Sequence, residues 1–440
     1  MRNQKARGKE RGNPSVHRRT KGFPALSDAA VRSCSMFYEV PLKTGDAIMN
    51  RSYIVLRNIA PAPSKTRGGV RASMTRVAAA PEVEIAELSG KSVKKAMQEK
   101  STMAVAPVVP MKLVTPLQSK KTVAESASSG VAWGVMAVGA VGSSCNGEGI
   151  VAAVLDTGID PGHQAFAGVE LVRKNFTDES DDDEHGHGTH CAGTIFGRDV
   201  DGMRIGVAPG IKKALIGKVL GNSGGGSDKI IEAIQWAVSN GANVISMSLG
   251  MDFPGYVKAL EDEGLPTEHA TSMALEGYRT NILLFQSMAA LVASQEMFGK
   301  TSLLIAAAGN ESQRPAFEIA VSPPAVSNGF VSVAALGRTP AGKTWSVADF
   351  SNTGARLSGP GVDIVSAKPG GGLTLMSGTS MATPHVAGVA ALWGQKLLGE
   401  GCLRATLLID RLVGNASTKG MKKGFDPSDI GAGMVMAPQD

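Results

Sequence analysis

Residues Gly378–Gly388 read GTSMATPHVAG, a serine set among small residues and followed by Pro384. Beyond it Val386, Val389, Ala390 and Leu397 recur at the spacing of a helix with one buried face, and proline is tolerated near a first turn. The helix is expected over Ala382–Leu398, with Ser380 just ahead of it or in its opening turn. There, unpaired backbone N–H groups and the positive end of the helix dipole favour a developing negative charge. An isolated serine at such a place is most often only a cap. Its meaning depends on the rest of the chain.

Working outward, continuous apolar runs recur at Ile150–Leu155, Ala214–Leu220, Val244–Met247, Leu303–Ala307 and Phe330–Ala335. Unbroken rather than alternating runs belong to parallel strands covered on both faces. Helical stretches at His187–Phe196, Asp228–Asn240 and Thr271–Phe298 lie between several of them. The fold class is therefore α/β, a mostly parallel central sheet flanked by helices on both faces. Sites in such folds lie beyond the carboxyl ends of the strands.

Asp156 closes the first of these runs, within VLDTGID. A carboxylate there is well placed to hold an imidazole, although Asp-Thr-Gly also marks ordinary turns and aspartic protease half-sites. No second DTG occurs, which argues against the latter. HGHGTHCAGT follows, carrying His185, His187 and His190. Three clustered imidazoles can ligate zinc, but no HExxH-type glutamate accompanies them. The alternative is a catalytic imidazole with one nitrogen facing a nucleophile and the other held by a carboxylate. His187, at the helix start, is the candidate for that role, and His190 is expected to be a packed neighbour. The chain order Asp156, His187, Ser380 is that of the subtilisin triad, and no GxSxG elbow surrounds Ser380.

Together VLDTGID, HGTHCAGT and GTSMATPHVAG resemble the three signature blocks of the subtilisin-like serine proteases, over roughly Val131–Gly433. The resemblance implies that Asp156, His187 and Ser380 are catalytic. It also implies that Asn310 in AAAGNES joins the Ser380 N–H in an oxyanion hole. Ser248, Leu249 and Gly250 match one substrate-binding strand of the family and Gly224, Gly225 and Gly226 the opposite one. Ala307, Ala308 and Gly309 are then expected beside the pocket for the residue before the cut bond. Pro323 falls near a position where the family often has a cis proline.

The front of the chain fits the same picture. Residues 1–48 lack periodicity and are expected to form a disordered basic leader, with Met49 a candidate initiator. Strands at Arg51–Ile59 and Val83–Leu88, a helix at Ser92–Lys100 and extended chain at Met103–Leu113 make a small α+β unit over 49–116. A Pro/Gly/Arg-rich loop, Pro61–Ala80, interrupts it. This unit resembles the family's inhibitory propeptide, so the chain's own N-terminal segment is expected to be an intramolecular inhibitor. Residues 117–130 read as a linker and processing region, with a mature start expected between about Leu117 and Val131, and 131–440 as the catalytic domain.

Charge agrees with that division. Residues 1–125 hold 23 Lys/Arg against 9 Asp/Glu, leaving 22 against 30 for the remainder, within a total of 45 and 39. The two halves should attract each other. The front's charges are scattered with few aromatics between them, which argues against a nucleic-acid partner. No apolar run is long enough to span a membrane, and the polar opening lacks a secretory h-region. The simplest expectation is a cytoplasmic protein or one exported without a recognisable signal. Cys34, Cys145, Cys191 and Cys402 form no CxxC pair.

Two departures from the family stand out. The segment from His187 to Gly206 is short, and the loop carrying the family's calcium site is missing. No cofactor is expected to be required, although the acidic run Asp178–Glu184 (DESDDDE) offers oxygens of the kind a structural calcium takes. Met251–Lys300 is longer than the family pattern and largely helical, suited to a shell beside the pocket or to a partner. The expected activity is that of a serine endopeptidase made as a zymogen, acting on peptide or protein substrates. The competing reading is a catalytically silent peptide-binding protein of the same fold.

Overall fold

The computed structural model describes residues 51–59, 80–118, 121–123, 126–128, 130–339 and 344–439. The leader at 1–48 and the loop at 61–79 lie outside them, as does most of the positive charge expected to draw the front to the rest.

Strands Arg51–Ile59, Ala80–Leu88 and Thr102–Pro107 form an antiparallel sheet with Arg51–Ile59 in the middle, beside helix Gly90–Gln98. Ser89 caps the helix by accepting from the Ser92 amide. Ile54, Leu56 and Ala106 are buried in one core with residues of the long helix Thr267–Ser294, among them Ala270 and Ala274. Asn281 of that helix donates to the Pro107 carbonyl at 2.9 Å. The extra Met251–Lys300 segment thus forms two helices, Phe253–Asp262 and Thr267–Ser294, and the front unit rests on them.

The central sheet has eight strands. In spatial order they are Trp345–Val347, Phe330–Arg338, Leu303–Ala307, Val244–Met247, Val151–Asp156, Lys213–Lys218 and Glu170–Asn175, with Leu357–Pro360 also paired to Phe330–Arg338. All its pairings are parallel except that of Trp345–Val347. The five apolar runs all fall in this sheet. Its edge strand Glu170–Asn175 gives no such signal because three of its residues, Glu170, Arg173 and Lys174, are exposed and charged.

Helices cover both faces, and two large apolar cores lie between them and the sheet. The serine-bearing helix runs over Thr379–Gly399, three residues earlier than its apolar spacing suggested. Its first turn is built of Thr379, Ser380 and Met381, which carry no amphipathic signature because all are buried. Pro384 therefore lies inside the helix rather than in its first turn.

Candidate active site

Three segments meet at the carboxyl ends of the sheet. Asp156 ends its strand, and its main-chain carbonyl accepts from the Val219 and Leu220 amides at 2.9 and 3.2 Å. Its Oδ1 accepts from the Thr157 amide at 2.8 Å and lies 2.7 Å from His187 Nδ1. Both side chains are fully buried. Burial opposes charge on the His187 ring, but the Asp156 carboxylate outweighs it and holds the pKa well above the usual imidazole value. With Nδ1–H given to Asp156, Nε2 is the ring nitrogen left over, and among the described residues it has no hydrogen-bond partner.

The other histidines do other work. His190 Nε2 donates to the Ile364 carbonyl at 3.0 Å, and burial lowers its pKa to about 3. His385 Nδ1 donates to the Met381 carbonyl at 2.8 Å and is held neutral in the same way, its pKa about 4. His185, His187 and His190 do not converge as a zinc triad. Among the described residues the group close enough to hold a metal is Asp156, His187 and Cys191, whose thiol is pushed up by burial.

Ser380 sits in the first turn of its helix. Of the neighbouring amides, that of Thr379 goes to Asn310 Oδ1 and those of Met381 and Ala382 to the Gly378 carbonyl. The Ser380 amide is the first-turn donor left without a partner among the described residues. Asn310 Oδ1 accepts from both the amide and hydroxyl of Thr379, each at 2.9 Å. That pair fixes the side chain so that Nδ2 points outward, where it donates to the Thr115 carbonyl at 3.0 Å. Gly309 before it has φ +113°, and a Cβ there would meet Asn352 Nδ2 at 2.3 Å, so only glycine allows the chain to turn Asn310 this way.

Pro384 has a part in this geometry. Lacking an N–H, it leaves the carbonyl of residue 380 unpaired within the helix. That carbonyl accepts instead from the Ser248 hydroxyl at 2.9 Å and the Cys191 thiol at 3.4 Å. The proline thereby ties the serine to the His187 helix and to the groove strand.

The groove is filled by the chain itself. Strand Pro110–Leu113 lies antiparallel between Gly225–Gly226 and Leu249–Met251, pairing Met111 with Gly225 and Lys112 with Gly250. Gly224 closes a turn with Gly221 and backs onto the Met111 carbonyl. A Cβ at Gly250 would come within 2.9 Å of Ser322 Oγ. Farther on, Leu117–Gln118 pairs with Leu373–Ser377, so these two residues belong to the groove rather than to a free linker. Between the two ladders, Ser380 Oγ donates to the Val114 carbonyl at 3.0 Å and lies 3.3 Å from the Ser248 carbonyl, not against His187. Ala307 and Ala308 are buried beneath, at the end of strand Leu303–Ala307. The nearby cis bond is Pro323–Pro324, so Pro324 rather than Pro323 carries it.

Two important residues lie in or against the acidic run. Asp183 is buried, and its carboxylate accepts from the Thr157 hydroxyl, the Gly186 amide, and the Thr189 amide and hydroxyl at 2.6–2.8 Å. Thr157 follows Asp156, while Gly186 and Thr189 flank His187, so one carboxylate joins both blocks. Lys218, also buried, gives its ammonium to the Ser180 and Asp182 carbonyls at 2.8 and 2.9 Å. Within the same run Asp182 pairs with Arg173 and Asp181 accepts from Asn175 Nδ2 at 3.1 Å. The buried lysine was detectable only as a cation closing an apolar strand, KALIGK.

Comparison with known proteins agrees with this geometry. Residues 147–426 match the model of the Subtilase family. The chain is 33% identical over 303 residues to an intracellular serine protease of Paenibacillus polymyxa, covering 67% of this chain and 81% of that one. It is 35% identical over 254 residues to subtilisin-like protease 6 of Trichophyton tonsurans, covering 56% of this chain and 52% of the relative, so it spans about half the length of the Trichophyton proteins it matches. Fervidolysin from Fervidobacterium pennivorans, a keratinolytic enzyme related to subtilisin, shares the fold with a TM-score of 0.59 at 23% identity, over 90% of this chain and 61% of that one. The chain belongs to the Subtilase family.

Proposed function

We propose that this chain is a serine endopeptidase produced in a self-blocked form. The observation that carries the reading is the buried 2.7 Å Asp156–His187 bond beside Ser380 and Asn310, which contact successive carbonyls of Val114 and Thr115, just past strand Pro110–Leu113. In the reaction, His187 Nε2 takes the Ser380 hydroxyl proton as the oxygen attacks the substrate carbonyl carbon. Asp156 holds the opposite nitrogen and stabilises the imidazolium. The Ser380 amide and Asn310 Nδ2 donate hydrogen bonds to the carbonyl oxygen as negative charge grows on it, and such preorganised donors contribute a few kcal/mol. His187 then protonates the leaving amine, and water releases the acyl group by the reverse path.

The geometry of the filled groove supports self-blocking. Attack requires one carbonyl to face both nucleophile and oxyanion donor. Here the tasks fall on two, Val114 at Ser380 and Thr115 at Asn310. The bonds beside Ser380, Val114–Thr115 and Thr115–Pro116, lie just upstream of the region where a mature start was expected. Ion pairs of Arg51 with Glu263, Lys112 with Asp252 and Lys121 with Asp363 bring basic front residues onto acidic partners, and help to seat the segment. Ser380→Ala should abolish cleavage of peptides and leave residues 51–118 attached. A Ser380→Ala chain that cleaves at the normal rate would overturn the reading.

A further inference from the structure

We propose that Asp252 and Glu311 form an acidic notch that selects a cationic side chain on the substrate, two residues before the one whose carbonyl meets Ser380. This rests on the peptidase reading and names a substrate class for the same groove. Lys112, paired with Gly250 in the strand that fills the groove, occupies that position, two residues ahead of Val114. Its ammonium is 3.0 Å from Asp252 Oδ1 and 3.9 Å from Glu311 Oε1.

The two acids are held in place from different directions. Asp252 directly follows strand Leu249–Met251 and caps helix Phe253–Asp262 by accepting from the Gly255 amide, while its own amide donates to the Pro110 carbonyl at 3.1 Å. Glu311 follows Asn310, and its Oε2 accepts from Asn352 Nδ2 at 2.8 Å. Each side chain thus has one hydrogen bond besides its pairing with Lys112. Among the described residues, Lys112 is the basic side chain paired with either acid. Once residues 110–118 leave, two like charges face the vacated place. An incoming lysine or arginine relieves their repulsion, and an incoming glutamate adds to it. Lys112 and both acids are about one-third exposed, so solvent screens the pairing and the preference is several-fold rather than thousands-fold.

The test uses the matured chain and the fluorogenic peptides Pro-Met-Xaa-Leu-Val-aminocoumarin with Xaa as Lys, Ala or Glu. The expected kcat/KM for Lys exceeds that for Ala by about 3- to 10-fold, with Glu below Ala, and the Lys advantage shrinks in 1 M salt. In Asp252→Asn/Glu311→Gln the Lys-to-Ala ratio, internal to one enzyme preparation, should fall towards one. A ratio near one in the wild type, or an unchanged ratio in the variant, overturns the notch while leaving the peptidase reading intact. Failure to cleave any of the peptides, with no labelling of Ser380 by a fluorophosphonate, overturns that reading and the notch with it. A second arm leaves the groove's own residues untouched. Lys112→Glu in the full chain puts a third acid at the notch and, like the Glu peptide, should be cut several-fold more slowly, so the front segment is lost more slowly than in the wild type, whereas maturation at or above the wild-type rate contradicts the inference.

Discussion

Asp183→Asn tests whether the acidic run is built to hold the Asp156 and His187 segments together. The native carboxylate takes four donors, two on each oxygen, at 2.6–2.8 Å in a buried place. An amide keeps one acceptor oxygen and turns an NH2 group towards the other two donors, so at least two bonds to a charged acceptor are lost. At roughly 1.5–3 kcal/mol for each such bond, with some relaxation, the variant should lose about 2–4 kcal/mol of stability. Urea unfolding, carried out in a Ser380→Ala background to prevent self-digestion, measures that loss. In the active enzyme the Thr157 turn and the Gly186–Thr189 helix start should drift by tenths of an ångström. We expect kcat to fall on the order of 10-fold or more. KM should barely change, because Asp183 touches neither Gly225–Gly226 nor Leu249–Met251. The pH profile should also move, since the Asp156–His187 contact depends on both segments. Unchanged kcat and an unmoved profile, with only stability lost, would refute the positioning role.

Other perturbations have equally definite outcomes. Because Asp156 raises the pKa of His187, the base is free only at higher pH, so kcat/KM should climb through a pKa above the usual imidazole range; Asp156→Asn should move that limb down while cutting the rate. His190 and His385 are neutral when folded, with pKa values of about 3 and 4, and protonate freely when unfolded. Their stabilisation is therefore present above the ordinary histidine pKa and lost as pH falls towards those values. Stability should drop by about 2 kcal/mol between pH 6 and 5, read by urea unfolding at each pH. His187 has the opposite shift, is charged in both states over that interval, and adds little. Chelation of calcium should leave the Tm unmoved, whereas Lys218→Met, which strips the ammonium from the Ser180 and Asp182 carbonyls, should lower it by several degrees.

What could be read from the sequence was what the chain encodes locally. The strand runs and the three blocks around Asp156, His187 and Ser380 are contiguous, with their own spacing and small residues. The serine helix was placed late because Thr379, Ser380 and Met381 are buried without being amphipathic. Asp183 is read from the sequence only as one oxygen donor of an acidic run, since nothing in DESDDDE distinguishes the carboxylate that four donors bury. Residues 110–118 looked like a strand and a linker, and their partners at Gly225–Gly226, Leu249–Met251 and Leu373–Ser377 lie more than a hundred residues away. A pairing of that kind leaves no periodic trace.

The central claim is that Ser380 is an activated nucleophile masked by residues 110–118. Treating the purified chain with a fluorophosphonate and weighing it intact, before and after the front segment is lost, tests this directly. One adduct on Ser380 in the shortened chain, little in the full-length chain and none in Ser380→Ala is the predicted result. A shortened chain that takes no label, or takes it elsewhere, would contradict the account.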